Sequence, residues 1–528
     1  MGEAQVPARV HPFGPFAYLG LRAHELTVKG RNTEALRLTD EYERIVSLLG
    51  DDAAVSMLTQ VRMYALIGLR RFEEALRTGE ALLRRHQAIA VRCSEAKTLA
   101  DIAEVLVRLG RLDEGLHRLA RATALLETTP PTNPRYASAL ASVSEAARAA
   151  ELFELADEYA RAAVESFDAD PGQRAAMELQ RAELLLDWAL RLEQIGLVDE
   201  AGVRYAAAAA MARHWVDWYR KRGPDEDAPL AAALLALGLA KIGRVTEALA
   251  LCESTVGPLR AAGREHEARL VHLAYGTALR AHGDLRAARR EFIAAEELSA
   301  AEGNGSDQLI FQYELAALAA MEFPGGGAQA MLAALRDHAL HLWRLRMERR
   351  TLLNQARQRV RLEDEHARAD TAAGQDALTG LGNRRSYDRQ LAAIEAERPD
   401  RVVLLLVDLD RFKLINDRYS HGMGDRVLRE VGAVLRAHCR PHDVPIRFGG
   451  DEFAVFLRAD LESAARVGDR IRQVIAGRDW DEFAPGLRVT VSVGAAAYAP
   501  GMSGHDLFDA ADRQLYAAKS AGRNRLAL

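Results

Sequence analysis

Cysteine is scarce in this chain. There are three in 528 residues, Cys93, Cys252 and Cys439, far apart in sequence. That spacing excludes a dense disulfide framework and a CxxC metal site, and it fits a reducing compartment. Aromatic residues make up only 6%. No stretch approaches the ~18 consecutive apolar residues of a membrane span, and the longest small-residue run, Tyr205 to Ala212, is far too short. The opening MGEAQVPARVHPFG lacks the apolar core of a signal peptide, and Val6 stands where a myristoylated N-terminus needs Ser or Thr. Neither sign of charge dominates: 70 Lys and Arg against 75 Asp and Glu give a net charge of −5. No overall basic field therefore suggests a general nucleic-acid binder. These absences point to a soluble, cytoplasmic protein with neither membrane nor nucleic acid as partner.

What is present is globular in balance, with 49% apolar and 27% charged residues. The length suggests about three domains. Alanine, leucine, arginine and glutamate dominate the first two-thirds, the palette of stacked helices. One local pattern recurs there: an apolar stretch, a turn residue, then an acidic-leaning segment closed by a small residue. Its copies are GRNTEA, RRFEEA, GRLDEG, ELFELA, GLVDEA, GRVTEA and GDLRAA, closing at Ala35, Ala75, Gly115, Ala156, Ala201, Ala248 and Ala288. A sustained period near 40 residues is the mark of a helical solenoid. Glycine at the turn supplies a left-handed residue at the end of one helix, and the small closing residue lets paired helices approach. The pattern resembles tetratricopeptide repeats in a long form, over roughly residues 15–325. The array reads as a surface for an unknown protein or small-molecule ligand, the alternative being a passive spacer or dimerisation arm. Trp188, Trp215, Trp218 and His86 read as packing or surface residues rather than ligands.

A breaker, MEFPGGG from Met321 to Gly327, is followed by a long stretch without Pro or Gly. Leu332, Leu335, Ala339, Leu342, Leu353, Ala356 and Val360 fit a 3.5-residue seam, which Arg346 and Arg349 interrupt. The expectation is a connector helix over 328–372, either a two-stranded coiled coil or a single long helix packed on the last repeat.

Composition shifts near residue 373. Val402 to Val407, VVLLLV, is a continuous apolar run of strand length that ends in Asp408-Leu409-Asp410. A second strand ends at Arg447-Phe448, then come Gly449-Gly450, Asp451-Glu452 and a third strand, which together read as a hairpin with carboxylates at its tip. Asp408, Asp451 and Glu452 could meet at strand ends. Converging carboxylates favour Mg²⁺, which takes oxygen ligands and phosphates.

Six motifs stand in order: DALTGLGNRR (Asp376 to Arg385), DLDRFKLIND (Asp408 to Asp417), SHGMGD (Ser420 to Asp425), RFGGDEF (Arg447 to Phe453), VTVSVGAA (Val489 to Ala496) and LYAAKSAGRN (Leu515 to Asn524). Over 373–528 the chain resembles the GGDEF family of diguanylate cyclases. Ser420, where the family usually has Gly, is a departure of little expected consequence. The resemblance implies an α/β (α+β) nucleotide-cyclase-like domain behind the all-α solenoid, giving domains 1–327, 328–372 and 373–528. It implies a nucleotidyltransferase that condenses two GTP into cyclic di-GMP and two pyrophosphates. By that resemblance Asp408, the backbone carbonyl of Leu409, Asp451 and Glu452 hold two Mg²⁺ (Mn²⁺ as an alternative), and Asp451 takes the proton of the 3′-hydroxyl. Asn416 and Asp425 read guanine. Lys413, Lys519 and Arg523 hold phosphates, with backbone N–H groups of Arg411 and Phe412 beside them. Gly449 and Gly450 let the substrate approach. Arg440 and Asp443 form an RxxD motif at the offset of the family's product-inhibition site, with Arg470 or Arg472 as a further contact. The two-fold symmetric product implies a homodimer under control of the repeats. The alternative is a catalytically weak domain that serves as a GTP or cyclic di-GMP receptor or scaffold.

Overall fold

The computed structural model describes residues 16–528 except 29, 90, 167–170, 223–227, 263, 303, 304, 324, 398, 400, 441 and 500. The leader segment discussed above, Pro324 of the breaker and Pro441 of RxxD lie outside the described residues. The chain divides into a helical unit that runs through Arg361 and a second unit from Leu362 to Leu528.

The helical unit is a solenoid, and each repeat turn has one geometry. Gly30, Gly110, Gly196, Gly243 and Gly283 all adopt positive φ, and so do Arg70 (57°) and Glu151 (57°) in the two copies without glycine. In every copy the next residue donates its N–H five residues back, as Arg71 does to Leu66 O (2.9 Å) and Leu152 to Ala147 O (2.8 Å). This Schellman closure satisfies carbonyls the helix end would leave bare. The turn is thus specified by hydrogen bonding, and glycine lowers its cost without being indispensable. All six closing alanines are at most 1% exposed. At the seventh, Gly115, an added Cβ would lie 2.9 Å from Val107 Cγ2 and 3.1 Å from Ala103 O, so that copy admits nothing larger than glycine without a shift. Trp188, Trp215 and His86 are buried packing residues, as the sequence suggests.

The stretch after the breaker is one helix, Gly326–Ala373. Its buried residues, Ala339, Arg346, Leu353 and Val360, recur every seven positions. The seam is real, but its partner is the chain itself: Leu353 and Val360 belong to the solenoid core. The arginines do not interrupt it. Arg346 Nε donates to Glu151 O (2.6 Å) and pairs with Glu154, while Arg349 Nη1 reaches Ala150 O (3.1 Å) and the Glu151 carboxylate (2.6 Å). The guanidiniums thus neutralise the carbonyl end of the helix Tyr136–Ala149. Residues of the long helix up to Arg361 belong to the helical unit.

The second unit is built on a five-stranded sheet in the order β2-β3-β1-β4-β5: β1 Val403–Leu409, β2 Val444–Gly449, β3 Glu452–Leu457, β4 Val491–Ala497 and β5 Leu526–Ala527. β1 is central and antiparallel to β3 and β4, and β5 runs parallel to β4. Every residue of β1 is buried, which explains why it reads as an unbroken apolar run. Its residues alternate between two cores. Val403, Leu405, Val407 and Leu409 pack with the helices His421–His438 and Leu461–Gly477. Leu404 and Leu406 pack with Arg384–Glu397 and Gly504–Ser520. Period two therefore directs Asp408 to the face covered by the helix Gly504–Ser520.

Gly494, within VTVSVGAA, opposes Leu406 on that face. A Cβ there would lie 2.2 Å from Leu515 N and 2.3 Å from Ala511 O, both backbone atoms of the covering helix. The motif is thus a packing device that seats helix on strand. Gly494→Ala should lower the stability of this unit by about 3 kcal/mol, the cost of an overpacked core with no side chain free to yield. Denaturant unfolding of the full chain checks it through the transition of the second unit.

Candidate active site

Asp408, the last residue but one of β1, is 8% exposed. Lys519, from the last turn of the helix Gly504–Ser520, places Nζ 2.8 Å from its Oδ2. Directly across the ladder from Asp408 stands Glu452, the first residue of β3. Asp451 lies in the β2–β3 turn, and its carbonyl accepts from Leu409 N (3.2 Å), which ties the turn to β1. Burial above all, with the charges of Asp451 and Glu452 added, pushes the Asp408 carboxyl above its ordinary value, while Lys519 opposes the shift.

The turn is held by a residue to which the sequence reading gave no role. Arg447 donates through Nε and Nη2 to Gly450 O (3.0 and 2.8 Å) and through Nη1 to Asp376 (3.3 Å). Burial works against ionising Asp376, but hydrogen bonds from Thr379 and the Arg447 guanidinium outweigh it and hold that carboxyl below its usual value. DALTGLGNRR thus braces the hairpin. Asn383, in the same motif, donates to Ala373 O (2.8 Å) and Gln375 O (3.1 Å). Added Cβ atoms at Gly449 and Gly450 would meet nothing within 4 Å, so the tip is open to a ligand.

Arg411 adopts a left-handed conformation (φ 56°) just before the helix Phe412–Tyr419, whose first turn carries the exposed Lys413. Backbone N–H groups at such a start favour an anion. Asn416 lies on this helix against Gly424: a Cβ at Gly424 would fall 1.9 Å from Asn416 Oδ1. The glycine of SHGMGD thus seats Asn416 beside the residue preceding the exposed Asp425. Ser420 matters more than its sequence context suggested. Its φ of 106° and ψ of 159° belong to a region of backbone space that glycine alone occupies cheaply, which explains a glycine preference there. The residue offsets part of that cost by capping the next helix, its Oγ accepting from Met423 N (3.4 Å).

Arg523 is exposed on the loop that follows Lys519. Asp443 accepts from Arg440 N (2.8 Å) and Arg458 N (3.3 Å), so RxxD is a closed turn with the Arg440 side chain exposed. Arg472 is engaged elsewhere, with Asp469 (2.7 Å) and Asn524 (3.2 Å).

Among the described residues, no three or more His, Cys, Asp or Glu side chains stand together in an arrangement that could hold a metal ion. The expected convergence of three carboxylates is therefore partial: Lys519 draws Asp408 toward the covering helix, and Glu452 remains exposed. The donor chemistry still fits a hard divalent cation. Lys519 pairs with Asp408, and the like charges of Asp408 and Glu452, directly opposed across strands, repel unless a cation lies between them.

Carboxylates at the ends of buried strands, a glycine-tipped hairpin and cations from a C-terminal helix define a class of α/β domain. Residues 373–525 match the family described as "Diguanylate cyclase, GGDEF domain", so the second unit carries a GGDEF domain. The chain is 41% identical over 152 residues to the diguanylate cyclase DgcS of Shewanella oneidensis, covering 28% of this chain and 50% of that protein. It is 41% identical over 157 residues to the response regulator PleD of Caulobacter vibrioides, covering 28% and 34%. A crystal structure of the coiled coil and GGDEF domain of DgcB from Caulobacter crescentus in complex with c-di-GMP aligns at 32% identity and a TM-score of 0.31, covering 34% of this chain and 96% of that one. The chain spans half or less of the length of these curated relatives. Among the described residues no helix is long and apolar enough to cross a membrane.

Lys519→Met leaves Asp408 buried beside two carboxylates. The raised carboxyl takes up a proton more readily folded than unfolded, so ionising it costs stability as pH rises through the folded value. The variant should therefore fall behind the native chain as pH rises from 4 to 7. The gap should reach on the order of 1–2 kcal/mol, allowing for solvent around the lysine. Denaturant unfolding in EDTA across that range measures it.

Proposed function

We propose that the chain is a diguanylate cyclase that condenses two GTP into cyclic di-GMP with release of two pyrophosphates. The observation that carries this reading is the Asp408–Glu452 pair in register at the end of β1, with Asp451 in the adjoining turn, inside a GGDEF domain. The curated relative named a diguanylate cyclase supports it.

Asp408, Asp451, Glu452 and the carbonyl of Leu409 would hold Mg²⁺, or Mn²⁺, two ions for each nucleotide. Bound there, the ions would supply positive charge to the attacking 3′-oxygen and to the α-phosphate. The chain's own groups do the rest. Lys413, Lys519, Arg523 and the amides of Arg411 and Phe412 take phosphate oxygens, and the open Gly449-Gly450 tip admits them. Asp425 accepts from guanine N1–H and N2–H₂, while Asn416 donates and accepts; adenine offers no such donor pair. Asp451 receives the 3′-hydroxyl proton.

Because the product has two-fold symmetry, two copies present their nucleotides to one another about a two-fold axis. The solenoid governs that encounter when a protein or small-molecule ligand binds it. Arg440 and Asp443 bind cyclic di-GMP and restrain turnover, the exposed guanidinium gripping phosphate or stacking on guanine.

Incubation of the full chain with GTP and Mg²⁺ should yield cyclic di-GMP, measured by chromatography, with turnover per chain rising with protein concentration. A folded, dimeric preparation that binds GTP or cyclic di-GMP without turnover would make the chain a receptor instead. Asp451→Ala should lower product formation at least about 10³-fold while circular dichroism stays unchanged. Arg440→Ala should leave the initial rate in place and raise the cyclic di-GMP concentration that halves it by about tenfold, the worth of one charged hydrogen bond.

A further inference from the structure

Asp410 is held by more bonds than a residue with no assigned task needs. It is 8% exposed, and among the described residues no cation stands within ion-pair distance of it. Both carboxylate oxygens are used. Oδ1 accepts from Ser492 Oγ (2.7 Å), and Oδ2 accepts from Thr490 Oγ1 (2.7 Å) and from the backbone N–H of Asn524 (3.0 Å). A buried carboxylate met only by neutral donors is a costly arrangement. Here it joins three pieces of chain: the end of β1, the entry to β4 and the loop after the last helix.

That loop is strained. Gly522, Arg523 and Asn524 have φ of 116°, 65° and 46°, so two successive non-glycine residues are left-handed. Asparagine tolerates this region, but Arg523 adopts it at a steric cost and persists there only where its surroundings over-determine it. The Asn524 amide on Asp410 is one tie, Arg523 N on Ala518 O (3.1 Å) another, and Arg472 on the Asn524 side chain (3.2 Å) a third.

We propose that Asp410 is a positioning residue, which locks this strained loop so that Arg523 is presented to substrate phosphate; the proposal rests on the reading of Arg523 as a phosphate ligand given above. Asp408 and Asp410, two positions apart, hold the same C-terminal segment by different handles, the Lys519 ammonium and the Asn524 amide. The second handle is independent of the first, so the loop stays in place when Lys519 turns from Asp408 to a phosphate.

The test uses the full chain with Asp410→Asn. In the variant the amide oxygen can still accept from the Asn524 N–H and Thr490 Oγ1 while its NH2 donates to Ser492 Oγ, but the acceptor facing Asn524 is then neutral instead of charged. Hydrogen exchange at the Asn524 amide should quicken about tenfold, with the helical unit unchanged, since a hydrogen bond to a charged acceptor becomes one to a neutral acceptor. GTP affinity by calorimetry should weaken about tenfold, with kcat changed less than KM, and Arg523→Ala added to Asp410→Asn should cost less than about twofold more. Unchanged exchange at Asn524, or fully additive losses of the two substitutions, overturns the proposal. Absence of cyclic di-GMP synthesis by the native chain would instead overturn the functional reading, while the exchange result still decides whether Asp410 locks the loop. Should Asp410→Asn fail to fold, Thr490→Val with Ser492→Ala strips the hydroxyls that aim the carboxylate and is read by the same measurements.

Discussion

A strand buried on both faces has to end somewhere, and the end of β1 is flanked by two carboxylates, Asp408 within the strand and Asp410 just past it. Its apolar residues commit it to the centre of the sheet, between two helical layers. Asp408 and Asp410 then emerge at the rim with little water around them. Unpaired, such groups would oppose folding. The fold answers with an ammonium from the last helix for one and three neutral donors for the other. Both answers come from the C-terminal segment or from β4, so the requirement to satisfy two acids also closes the domain. The same requirement concentrates charge where substrate chemistry is proposed.

The helical unit obeys a different constraint, the bare carbonyls at helix ends. Its turns close by Schellman hydrogen bonds whether or not glycine is present, which is why Arg70 and Glu151 can occupy left-handed positions. Where the long helix crosses one such turn, Arg346 and Arg349 complete the work with guanidinium donors. A heptad stripe that resembles a coiled-coil seam is thereby absorbed within the chain. Periodicity reports that a face is buried; it carries no information about the partner that buries it.

Much of the second unit was legible because its signals are local. The run before Asp408 could only be a buried strand, and Gly449-Gly450 between two strand patterns could only be a tight turn. The glycines were harder. Gly424 and Gly494 sit inside motifs, but their purpose, clearance for Asn416 and for the backbone near Leu515, depends on contacts across the fold. Arg447 stands in a signature motif, yet its work is to bridge Gly450 O to Asp376, 71 positions away. Ser420 was noticed as a departure, but its cost follows from a dihedral angle that no side-chain pattern records.

By itself, then, the amino-acid order determined the repeat period, the buried strand, the hairpin and the family resemblance of the last 155 or so residues, because each rests on neighbours within a turn or a strand. Tertiary structure alone decided that the long helix spends its stripe on the solenoid. It decided that Lys519 meets Asp408 and that Asn524 meets Asp410, 114 positions apart. Those pairings follow from strand order and from which face each helix covers, and burial then made them obligatory. A charged group in water needs no particular partner, but the same group at the end of a buried strand has to find one.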